Sequence, residues 1–88
     1  MTSDEIRFKA ADLLEAHPDA WQQGAYRTAI APGRYAYCLV GACREVVGYY
    51  DANAAYAATA SAPHVAPTIW NDTPGRTREQ VIAALRAI

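Results

Sequence analysis

Cysteine, histidine and lysine are scarce in this chain of 88 residues. There are two Cys and two His, and Lys9 is the single lysine beside seven arginines. Two cysteines cannot form a disulfide framework, so free thiols and a reducing, cytoplasmic setting are expected. Structural zinc is not expected, on similar grounds. Cys38 and Cys43, five residues apart, diverge around a helix, and His17 and His64 both neighbour prolines, so no standard ligand spacing exists. Long apolar runs are also missing, and with them any membrane span. The N-terminus lacks the basic-then-apolar pattern of a signal peptide.

Excess charge of one sign is absent too. The net charge is −1. Residues 1–44 carry five acids and five bases, residues 45–88 four acids and three bases. Neither half offers the basic footprint of a nucleic-acid binder. No glycine-rich phosphate loop occurs, and no cofactor is implied. Large aliphatic residues are few: of the 52% hydrophobic residues, twenty are Ala, and Leu, Ile, Val, Phe and Met together number sixteen. A chain of this length forms one domain, residues 1–88, and buries only roughly 60–65% of its unfolded surface. Six Tyr and two Trp must fill much of the interior or an interface, and a thin core favours self-association.

What is present concentrates in Trp70-Asn71-Asp72-Thr73-Pro74-Gly75-Arg76-Thr77. Pro74 fixes its own φ and Gly75 tolerates a positive one, so Thr73 to Arg76 reads as a tight turn. Thr77 and Gln80 have capping-box spacing, and Val81, Ile82, Leu85 and Ile88 then define an apolar face. This predicts a helix over 78–87. Two readings of the stretch stand side by side: a well-built helix start anchored by Trp70, or a contact surface with Asn71, Asp72 and Arg76 turned to a partner. Across the turn, Asp72 is expected to be structural and Arg76 to reach outward.

The rest supports a small, mostly α domain of three or four helices with room for one short β-hairpin. Thr2 and Glu5 form a second capping-box pair, and Ile6, Ala10, Leu13, Leu14 and His17 share a face, predicting a helix over 3–16 closed by Pro18. Trp21 is expected to plug the core, with Gln22 and Gln23 beside it. A short extended piece is expected near 22–27, and Ala31-Pro32-Gly33-Arg34 reads as a turn. A central helix is predicted from Tyr35 or Ala36 to Val47, with Leu39, Val40, Cys43, Val46, Val47 and Tyr50 as its stripe. A weaker one is predicted over Ala52–Ala60, capped by Asp51.

Two functions from different classes follow. The first is a protein-binding or regulatory module with an unidentified protein partner, or a second copy of the chain. Its contacts lie at Trp70, Asn71, Asp72 and Arg76, with Trp21 and Gln22 lining a groove. Aromatic and arginine anchors of this kind dominate interface energetics. The second is a small enzyme with Cys38 as nucleophile, since a thiol near a helix N-terminus can be acidified. Cys38, His64 and Asp72 would supply its catalytic set. Against this, an apolar run favours a packed, inert cysteine.

Three blocks carry a resemblance: Trp21-Gln22-Gln23-Gly24-Ala25, Cys38-Leu39-Val40-Gly41-Ala42-Cys43-Arg44, and Trp70 to Glu79. Together they resemble a domain-of-unknown-function family of actinobacteria and their phages. Its pattern has a Trp/Gln-Gly block, a Cys-Leu-Leu-Gly-Ala helix and a Trp-Asn-Asp-x-Pro-x-Arg-Thr end. The resemblance implies a phage or bacterial cytoplasmic setting and brings no activity with it.

Overall fold

A computed structural model describes residues 2–48 and 66–87. The first helix, α1 (Ser3–Glu15), starts as its capping box requires: the Thr2 hydroxyl accepts from the Glu5 amide at 3.1 Å, and the Glu5 carboxylate accepts from the Thr2 amide at 3.4 Å. Ile6, Ala10, Ala11 and Leu14 are buried on one face. Leu13 is half-buried and His17 exposed, so the stripe is narrower than its spacing suggests.

Next come two antiparallel strands, β1 (Arg27–Ala31) and β2 (Arg34–Tyr37), joined through Pro32 and Gly33. Gly33 sits at φ 72°, in the left-handed region that a tight hairpin turn demands. The pairs Arg27–Tyr37, Thr28–Ala36 and Ala29–Tyr35 set the register, with a bulge between Ala29 and Ala31. Strand β2 replaces the expected helix start at Tyr35 or Ala36. The second edge of β2 is covered by residues 20–22: the Tyr37 amide donates to Ala20 O at 2.7 Å, and the Gln22 amide donates to Tyr37 O at 3.0 Å. Hydrogen bonding on both sides outweighs the weak helical signal of a four-residue run, where period alone decides little.

Helix α2 (Leu39–Val47) therefore begins at Cys38, which is its N-cap. Leu39, Val40, Gly41, Ala42 and Cys43 are buried, and Val46 and Val47 pack partly against the core. Gly41 has a steric duty: a Cβ there would lie 1.8 Å from the Tyr26 carbonyl oxygen. Only glycine admits that approach, which also brings the Cys38 amide to Tyr26 O at 3.2 Å. The short α3 (Pro67–Asn71) follows, with proline at its first turn, and then α4 (Arg78–Arg86). The Thr77–Gln80 capping box of α4 is formed in both directions, at 3.2 and 3.0 Å.

Helix α1 packs against both α2 and α4. Ile6, Ala10 and Leu14 meet Leu39, Val40, Cys43, Val81, Ile82 and Leu85 in one core. Arg86 clamps α4 to α1 through Glu15 at 2.8 Å and Asp12 at 2.9 Å. Arg78 donates to Leu14 O at 2.9 Å, satisfying a carbonyl in the last turn of α1. The described residues thus form a small domain of four helices and one hairpin, a mixed α and β content where a mostly α one was expected. The helix predicted at Ala52–Ala60, with Asp51 and Tyr50, lies outside the described residues.

Candidate functional site

Helix α3 and the turn after it stand against the loop after α1. Asn71 holds the two together from inside. It is 0% exposed, and all of its amide is used. Its Oδ1 accepts from the Trp21 indole N–H at 2.7 Å and from the Leu39 amide at 3.0 Å. Its Nδ2 donates to Gln22 O at 3.1 Å and to Asp72 Oδ1 at 2.9 Å. The Leu39 contact caps an orphan N–H at the start of α2, and the Trp21 contact satisfies the polar tip of a large aromatic. A buried primary amide is tolerable only when matched in this way. Asn71 therefore supports the site from behind and has no exposed surface for a partner.

The loop over residues 22–25 is tied to the same turn. Gln23 Nε2 donates to Asn71 O and Thr73 O, both at 3.0 Å. The Gly24 amide donates to Asp72 Oδ1 at 3.0 Å. Gln22 turns back to brace its own loop through Ala25 O at 3.1 Å. Asp72 thus has one oxygen fixed by two N–H groups, a structural role, but only the Asn71 donor is local and the Gly24 amide lies 48 residues away. Arg76 differs from the expectation. Its guanidinium lies over the Trp70 ring at 3.9 Å, and its Nε donates to Trp70 O at 3.0 Å. Stacking and a hydrogen bond hold it against the turn, half-buried, where the sequence suggested a side chain reaching away.

Two clefts flank α3. One, of about 280 Å³, is lined by Gly24, Ala25, Tyr26, Cys38, Thr68 and Asp72. The other is shallower and lined by Thr68, Ile69, Asp72, Thr73 and Pro74. Thr68 and Asp72 are common to both. Ile69, on the second, is 64% exposed, the most exposed large hydrophobic side chain among the described residues. Trp21 and Trp70 are half-buried against the core.

The first cleft brings Cys38 and Asp72 together, two members of the catalytic set considered above; His64 lies outside the described residues. The Cys38 sulfur accepts from the Gly41 amide at 3.3 Å. Burial nevertheless pushes its pKa up, against the smaller lowering effect of the Gly41 and Val40 amides, and the Asp72 charge pushes it further the same way. Cys43, deeper in the core, is pushed up to about 12, chiefly by burial. Both thiols are free. A thiol displaced upward is the reverse of an activated nucleophile. No group of three His, Cys, Asp or Glu side chains among the described residues could hold a metal ion. No described helix is long and apolar enough to cross a membrane.

Tyr26, Thr68 and Ile69 were not singled out by the sequence, since nothing in their local pattern separates them from ordinary loop and helix residues. Gly41 did carry a signal: a glycine inside the most hydrophobic helix marks a close backbone approach. A model for a family of unknown function matches residues 1–88. No curated protein and no solved structure matches the chain.

Proposed function

Since the chain belongs to DUF6197, a family of unknown function, we propose a role from the site alone: a binding module that grips a polypeptide partner on the face formed by α3, its turn and the 22–25 loop. The observation that carries this is Ile69, 64% exposed on the wall of the second cleft and next in sequence to Thr68, which lines both clefts. It rides on a helix anchored by the fully bonded Asn71. An apolar anchor on a rigid platform loses little entropy on binding, which is how preorganised contacts gain affinity. Trp70 with its stacked Arg76 supplies a second anchor of the kind enriched at interface hot spots. Trp21, Gln22 and Asn71 act behind this face as supports, and Asp72 takes part in both roles. A second copy of the chain is one candidate partner. Two free, buried thiols support a reducing, cytoplasmic setting, and the resemblance supports a bacterial or phage one.

Affinity capture from the native host's lysate, run in parallel with wild type, Ile69→Asp and Arg76→Ala, tests the proposal. A protein retained by wild type and lost with Ile69→Asp, while that variant keeps its melting temperature, supports it. Identical capture by wild type and Ile69→Asp would refute it.

A further inference from the structure

Resting on that reading, we infer that the cleft beside α3 takes the ammonium group of a lysine side chain on the partner polypeptide, held by Asp72. The cleft has the charge for it. Among its described lining residues, Gly24, Ala25, Tyr26, Cys38, Thr68 and Asp72, Asp72 is the one acidic residue and none is Lys, Arg or His. Arg44 lies over the Tyr26 ring at 4.9 Å and Arg76 over the Trp70 ring at 3.9 Å. Neither lines the cleft.

The carboxylate is also prepared. Asp72 Oδ1 is saturated by the Gly24 amide at 3.0 Å and the Asn71 amide at 2.9 Å, which fix the orientation of the group. Its Oδ2 accepts no hydrogen bond from a described residue. One remaining oxygen does not serve the two-pronged fork of a guanidinium, which pairs best with both carboxylate oxygens. It does suit a compact ammonium with three rotatable donors, the Thr68 hydroxyl on the same rim taking a second. At about 280 Å³ the cleft falls just below the usual range of small-molecule sites, roughly 300–1,000 Å³. Thr68 and Asp72 line both clefts, so a chain crossing α3 can seat its lysine in one and rest an apolar neighbour on Ile69.

The test is an NMR titration of the intact chain with three probes: Nα-acetyl-lysine amide, Nα-acetyl-norleucine amide and Nα-acetyl-arginine amide. The readout is the Gly24 amide, bonded to Asp72. The lysine probe should shift it saturably and the norleucine probe should not. Asp72→Asn keeps the acceptor oxygen for Gly24 and Asn71 but removes the charge, and should weaken the lysine probe roughly fivefold or more. Should that variant fail to fold, Ala25→Tyr narrows the cleft at an exposed position with the carboxylate intact, and should weaken the lysine probe likewise. Equal binding of norleucine, tighter binding of arginine, no saturable shift with lysine, or unchanged affinity in the folded variant would each overturn the inference. The titration needs no partner. Its failure leaves the binding-module reading standing, and a failed capture leaves the titration standing.

Discussion

Replacing Gly41 by alanine should destabilise the protein strongly, against the ordinary trend. In a helix interior, alanine is worth about 1 kcal/mol more than glycine. Here the new Cβ would lie 1.8 Å from Tyr26 O and 2.6 Å from Tyr26 C, whereas ordinary contact begins near 3.4 Å. The obstacle is backbone, so no rotamer change relieves it. Either α2 or the segment entering β1 must move. Overpacking of this kind typically costs about 1–3 kcal/mol. The shift also breaks the bond from the Cys38 amide to Tyr26 O, and a buried N–H left without a partner costs about 1–3 kcal/mol. After the helix-propensity gain, the net loss should be about 1–5 kcal/mol. For a chain of this size each kcal/mol lowers the melting temperature by roughly 4–8 °C. Urea and thermal unfolding measure it directly. A useful contrast is Gly24→Ala, where a Cβ meets nothing within 4 Å but φ is 88°; there, backbone strain alone should cost about 1–2 kcal/mol. If Gly41→Ala matches or exceeds wild-type stability, the close approach of Tyr26 to α2 is not what glycine serves.

Asn71→Ala should cost about 3–5 kcal/mol, because it strands the buried Leu39 amide and the Trp21 indole N–H at once; a urea midpoint within error of wild type would rule this out. Thr77→Ala removes the N-cap of α4 and should cost about 0.5–2 kcal/mol, with Thr77→Ser recovering most of the loss. Alkaline pH should destabilise the fold through its thiols. The Cys43 pKa is raised from 9.0 to about 12 in the folded chain, so the stabilisation is complete below about 9 and fades as pH climbs toward about 12. At the upper end the loss from this thiol amounts to roughly 4 kcal/mol. Cys43→Ala should flatten the pH dependence of stability in that window, and an unchanged profile would sink the assignment.

The parts of the fold legible in the sequence are those whose physics is local. Thr2 with Glu5 and Thr77 with Gln80 each encode a helix start within four residues, and both boxes form as spaced. Pro32-Gly33 encodes its turn in the same way. Tyr35-Ala36-Tyr37 was not legible, because its extended state depends on pairing with β1 on one side and, at Tyr37, on bonds to Ala20 and Gln22, more than a dozen residues upstream, on the other. The same holds for the site. The Trp70–Thr77 stretch announced itself by its composition, yet the division of labour within it depended on distant partners. Asn71 is turned inward by Trp21, Gln22 and Leu39. Arg76, whose length suggested reach, finds an aromatic face six residues back and lies down on it.

The bonds that join the 22–25 loop to the turn after α3 link residues 48 to 50 positions apart in the chain. Contacts of such separation slow folding, because a long loop must be ordered before they return any energy. The Trp21 indole proton should consequently exchange with solvent at a rate set by opening of the whole domain, in contrast to fraying helix ends. It follows that the Trp-Asn-Asp stretch is not portable. A synthetic peptide spanning residues 66–87 would keep the letters of the motif and lose the cleft, since four of that cleft's six described lining residues are 24–26 and 38.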